Sequence, residues 1–200
     1  MDIEVLQMEK DIKKKRDAVV PEEIGRLAAE LRETRPGAWE DIPDIHLYKD
    51  QVIEIMEGQH IGFTVDPDES LTPAMINNYA KSGLIPRAKG KRYDRSHIAY
   101  LTIICMLKQI LPAKDAGTFL SKMTGDEDSL KELYARYCGL LDEKCLEVSG
   151  RMEESRSEQD IKELMLELAV SSYVQGLACK RLTEILSTDI EDADGTDKDR

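Results

Sequence analysis

Apolar residues recur every three or four positions along most of the chain, the spacing that gathers them on one face of a helix. Ile3, Leu6 and Ile12 mark a polar N-terminal helix that ends at Pro21; its Lys13-Lys14-Lys15-Arg16 run sits among Glu9, Asp11 and Asp17 and reads as a solvated face. Ile24, Leu27, Ala28 and Leu31 predict a second helix from Pro21 to about Arg32, which Arg35-Pro36-Gly37 breaks. Trp39 to Tyr48 reads as an extended linker with Trp39 as a hydrophobic plug. A helix is expected from Asp44 or Ile45 to Met56, capped by Asp44, with Leu47, Tyr48, Val52, Ile55 and Met56 as its stripe. Gly58 to Glu69 reads as a loop with a short strand at Gly62-Phe-Thr-Val.

Thr72-Pro73 is a helix start, a side-chain cap followed by proline at the first helical position, and Gly83 is a stop. Leu84 to Tyr93 is basic and punctuated by proline and glycine, which predicts a hairpin or irregular loop. Asp94 or Ser96 then caps a helix from about Arg95 to Leu111 that is apolar nearly all round, the expected central core helix, and Pro112 starts another to about Met123. Tyr93 and Tyr100 are expected to pack on it. Two long amphipathic helices follow, about Ser129 to Val148 and Glu158 to Leu186, with Ser149-Gly150 between them. The last carries a stripe of Ile161, Leu164, Leu168, Ser172, Leu177, Leu182 and Ile185, with Ala169, Ser172 and Gly176 allowing close helix approach. That stripe is richer than one neighbour within the chain needs, so a two-fold homodimer through the C-terminal helices is expected.

The pattern therefore predicts an all-α protein with N-terminal helices at 1–38, a central domain at 39–123, a C-terminal helical hairpin at 124–187 and a disordered acidic tail at 188–200. Composition fits: 41% hydrophobic and 34% charged residues with only 5% aromatics suit charged helical surfaces rather than a large β-sandwich. The longest apolar run, Ile98 to Leu107, is shorter than the ~20 residues of a membrane span. The N-terminus lacks the basic and apolar regions of a signal peptide, so a cytoplasmic protein without membrane contact is expected.

Charge changes the picture. The net −12 argues against nucleic acid, but it is an average. Residues 1–70 hold 9 Lys/Arg and 18 Asp/Glu, residues 71–114 hold 8 and 1, and residues 115–200 hold 11 and 21. A basic segment, with Asp94 as its one carboxylate, lies between two acidic ones.

Candidate chemistry is sparse. No HExxH, GxSxG, GxGxxG or GxxxxGK[ST] occurs, His46, His60 and His97 are scattered, and Cys105, Cys138, Cys145 and Cys179 have no CxxC spacing. The cysteines read as reduced thiols in apolar surroundings. Asp66-Pro-Asp-Glu and Asp126-Glu-Asp read as solvated loops, so no enzyme, cofactor or metal site is expected.

A short capped helix followed by a basic hairpin is the physical form of a winged helix-turn-helix, the helix entering the major groove and the loop lying along the phosphates. Thr72, Asn77, Asn78, Tyr79, Lys81, Arg87, Lys89, Lys91 and Arg92 are the candidate DNA-binding residues. Asn77 and Asn78 read adenine edges or are polar helix surface. Tyr79 is a packing residue or a phosphate contact. Arg87, Lys89, Lys91 and Arg92 bind phosphates, form a solvated loop, or dock on the chain's own acidic segments. Double-stranded DNA is the partner expected, with a protein-interaction module that keeps the fold as the alternative.

Ile76-Asn-Asn-Tyr-Ala-Lys-Ser-Gly-Leu-Ile-Pro, then Lys91-Arg92-Tyr93, three residues and His97-Ile98, resemble the DNA-binding head of the MerR transcriptional regulators. Tyr79 falls on that family's second tyrosine, Gly83-Leu84 on its glycine-leucine and Arg92-Tyr93 on its wing end. Asn77 and Asn78 stand where the family has its contacting arginine and first tyrosine, and the 58–69 loop stands where the motif's first helix is usual. Trp39 to Ile53, Leu71 to Pro86 and Tyr93 to Gln109 also resemble the bacterial family called domain of unknown function 1836, over roughly Trp39 to Tyr137. The first resemblance implies a DNA-binding transcription regulator, and the second implies a MerR-like fold and no known activity.

Overall fold

The computed structural model describes residues 21–59 and 71–194, and there the protein is all-helical. Helix α1 covers residues 21–33, and a 3-10 turn follows at Trp39–Asp41. Then come α2 (Lys49–Glu57), α3 (Pro73–Lys81), α4 (Arg95–Leu107), α5 (Ala113–Met123), α6 (Glu127–Glu154) and α7 (Glu158–Asp194). The Lys13–Arg16 helix, the strand at Gly62–Val65 and the end of the acidic tail lie outside the described residues.

The core forms around α4, as its all-round apolar sequence requires. His97, Ile98, Ala99, Leu101, Thr102, Ile103, Ile104 and Leu107 are all buried, and α2 and α6 pack on the helix from two sides. Fully burying an Ile or Leu side chain is worth about 1.5–3 kcal/mol, so this helix organises the rest. Trp39 plugs the same core, edge-on to Tyr134 at 6.1 Å, and the Tyr134 hydroxyl donates to the Gly37 carbonyl at 2.8 Å.

Four element boundaries differ from those predicted. Helix α2 starts at Lys49 rather than at Asp44 or Ile45, because Leu47 is held extended: its N–H donates to the Tyr93 carbonyl at 2.7 Å and its carbonyl accepts from the Tyr93 N–H at 2.9 Å. Gln51 caps the helix by accepting from the Tyr48 N–H, and Tyr48 is exposed rather than part of an inward stripe. Helix α4 stops at Leu107, not Leu111; the chain tightens so that Ile110 N–H donates to the Leu107 carbonyl before Pro112, which has no N–H to offer.

Helix α6 runs through Ser149-Gly150. Ser149 is fully buried, and its Oγ accepts from Arg32 Nε at 3.0 Å, so this residue seats α1 on α6 instead of ending the helix. Ion pairs of Arg32 with Glu153 and of Arg35 with Asp142 fasten the same contact. The break falls at Ser155–Ser157, where Asp160 accepts from the Ser157 N–H at 2.8 Å while Ser157 Oγ accepts from the Asp160 N–H at 3.1 Å, a reciprocal cap. Helix α7 packs on α5 and α6 and continues past Leu186 to Asp194, into the stretch predicted as a tail. The expected stripe splits: Ile161, Leu164 and Leu168 are half-buried, whereas Leu177, Leu182 and Ile185 are exposed.

Candidate functional site

Helix α3 is built as the sequence predicts. Thr72 Oγ1 accepts from the Met75 N–H at 3.2 Å, and Pro73 occupies a position whose N–H would have had no partner. At the other end Gly83 turns into the left-handed region with φ +75°, which lets the Leu84 N–H reach back to the Tyr79 carbonyl at 2.9 Å. Ile76 is buried, and Tyr79 is half-buried against the core. Burial pushes the Tyr79 phenol above its ordinary range, with the nearby Cys105 thiol adding to it. Asn77, Asn78 and Lys81 face outward, as does Thr72.

The basic loop is a hairpin. Arg92 N–H donates to the Lys89 carbonyl at 3.1 Å across Gly90 and Lys91, which have φ 59° and 64°. Positive φ at both central residues is the pattern of the turns that match strand twist in tight hairpins. Lys91 is a lysine in a conformation that costs a side-chain-bearing residue about 1–2 kcal/mol. Tyr93, buried and bridged to Leu47, ties the root to the core, while Arg87, Lys89, Lys91 and Arg92 are exposed. None of Lys81, Arg87, Lys89, Lys91 or Arg92 is ion-paired to a carboxylate among the described residues.

The N-terminus of α2 joins hairpin and helix. The Arg92 guanidinium lies 4.7 Å from the Tyr48 ring centroid and donates to the Tyr48 hydroxyl at 2.9 Å. The next residue, Lys49, donates from Nζ to Asn77 Oδ1 at 2.6 Å. Tyr48 and Lys49 therefore belong to the surface that Asn77 and Arg92 form, although sequence reading placed neither there. Their only signal was position: they precede an amphipathic helix, and nothing local marks Leu47 as the pairing partner of Tyr93. Arg95 points the other way, donating to the Ile42 carbonyl at 2.9 Å beside Trp39. Helix α2 also packs on α3, so α3 has a helical neighbour upstream.

At the foot of the hairpin an open cleft of about 360 Å³ lies between the Gly83–Pro86 turn, Tyr100 and α5. The cysteines are free, and burial pushes the Cys105, Cys138 and Cys145 thiols up, away from the reactive thiolate. Among the described residues no group of three His, Cys, Asp or Glu side chains is arranged to hold a metal ion, and no helix is long and apolar enough to cross a membrane.

A family model described as Domain of unknown function (DUF1836) matches residues 37–137, from the turn before Trp39 into the first half of α6. No curated protein and no solved structure matches the chain.

Proposed function

The chain belongs to the family described as Domain of unknown function (DUF1836), a membership that carries no activity, and we propose from the site's geometry that it is a DNA-binding transcription regulator. In this reading it is a winged helix-turn-helix protein, MerR-like in its order of elements, acting as a homodimer on double-stranded DNA. The observation that carries it is the shared surface of α3 and the hairpin: outward Asn77, Asn78 and Lys81 beside Arg87, Lys89, Lys91 and Arg92, none of them held by a carboxylate among the described residues.

Helix α2 supplies the first helix of the motif and α3 the second. Nine residues make α3 about 13 Å long, which suits a major groove roughly 12 Å wide. Asparagine amides at Asn77 and Asn78 offer the donor and acceptor pair that matches an adenine edge, once Lys49 leaves Asn77 for a phosphate. Thr72 keeps its hydroxyl proton for a phosphate oxygen while its oxygen caps the helix. Tyr79, half-buried, positions α3 through the core. A two-fold dimer presents two such helices to two half-sites.

The test is a fluorescence titration of the full chain with duplex DNA, beginning at low salt where electrostatic attraction is strongest. Binding is expected, weakened by Lys91→Ala for all sequences alike. Asn77→Ala instead lowers the preference for one sequence by about 1–3 kcal/mol. If no duplex binds at low salt, the protein-interaction module takes its place, a reading that the net charge of −12 favours.

A further inference from the structure

Helix α7 carries two apolar faces, and only one is used. Ile161, Leu164, Leu168, Cys179 and Thr183 are half-buried or buried on the side that meets α5 and α6. Leu166, Val170, Tyr173 and Leu177 are exposed, Tyr173 by 72% and Leu166 by 68%. Their spacing of four, three and four residues is the seam of a two-stranded coiled coil. A continuous apolar seam on the outer face of a helix marks an interaction surface. It also lies beyond the 37–137 span of the family match.

Charge along the helix selects the occupant. The turns before the seam hold Asp160 and Glu163 beside a Lys162 that pairs with Glu158, the four seam residues are uncharged, and the turns after it hold Lys180 and an Arg181 that pairs with Glu184 of its own helix. We infer that a second copy of this chain covers the seam with its own α7 running antiparallel. Val170 then packs against the partner's Tyr173, and Leu166 against the partner's Leu177. In that register Glu163 lies opposite the partner's Lys180, and Asp160 beside the partner's Arg181. Ala169 faces the partner's Gly176, two small residues that let the helices approach. A parallel pair would set Glu163 on the partner's Glu163 and Lys180 on the partner's Lys180, like charges at both ends. The pairing rests on the dimer of the proposed function and is independent of DNA.

Sedimentation equilibrium without DNA tests it. The wild-type chain is expected to be a dimer, and Leu166→Asp with Tyr173→Asp a monomer whose far-UV circular dichroism matches wild type, since both side chains are exposed. Glu163→Lys alone should raise the dimer dissociation constant about 5- to 30-fold, as two attractive pairs become repulsive. Adding Lys180→Glu to it should restore the wild-type value. In a parallel pair neither change alters the balance of like charges, so a dimer indifferent to Glu163→Lys overturns the antiparallel pairing and leaves the dimer standing. A wild-type chain that sediments as a monomer overturns both.

Discussion

Asp94 fixes the first turn of α4, the helix on which the core depends. Its Oδ1 accepts from the His97 N–H at 3.3 Å and lies 2.7 Å from His97 Nδ1. His97 is buried edge-on to Tyr93, and its Nε2 has no hydrogen-bond partner among the described residues. The Asp94 N–H donates to the same ring nitrogen at 3.1 Å, so the two residues close a capping box. Burial alone would raise the Asp94 carboxyl; the bonds from the His97 ring and from the His97 and Ser96 backbone outweigh it, and the net shift is downward. A carboxyl depressed in the folded state adds stability that is complete above its unfolded value, about 3.9, and is lost as the pH falls through the lower folded value. Asp94→Ala is therefore expected to cost about 1 kcal/mol near neutral pH. In paired urea titrations that difference from wild type should shrink below about pH 3.9. A difference that persists undiminished in acid would assign the loss to packing around His97 instead.

Element by element, what the sequence made legible is what local chemistry dictates. Thr72-Pro73, Gly83 and Asp94 each satisfy or release backbone groups of their own helix, so α3 and the start of α4 are where they are expected. The start of α2 was illegible because a contact 46 residues away, Leu47 with Tyr93, overrides helical spacing at Leu47. Ser149-Gly150 misled for a related reason: small residues signal a break in isolation, but here Ser149 is the buried seat of Arg32 from α1. The α7 stripe was legible as apolar but not as a covered half and an exposed half, because periodicity reports an apolar face without saying what covers it. Continuity of α6 gives a direct check. A methyl group at Gly150 would meet no atom within 4 Å, and alanine loses less freedom on entering a helix than glycine. Gly150→Ala should therefore raise stability by about 0.5–1 kcal/mol in thermal or urea unfolding. A helix that ended there in a glycine-dependent turn would be destabilised instead.

At the scale of the whole molecule, the charge partition and the proposed dimer bear on one measurable quantity. The basic segment is exposed on a chain whose flanks are net acidic, so under the proposed function attraction to DNA would be confined to the α3 and hairpin surface and opposed elsewhere. If about three of Arg87, Lys89, Lys91 and Arg92 meet phosphates in each subunit, log K should fall with log salt at a slope of about −3 per subunit and about −5 for the dimer. Lys91→Ala should flatten the dimer slope by about two units, one for each copy. The Leu166→Asp, Tyr173→Asp chain separates the two levels of organisation, since those residues sit on α7 and leave every candidate DNA contact in place. Its slope should fall to about −3, with affinity for a two-half-site duplex reduced to that for a single half-site. If instead that chain keeps the full slope of about −5, the phosphate contacts are not divided between two subunits, and α7 plays no part in presenting the two α3 helices to DNA.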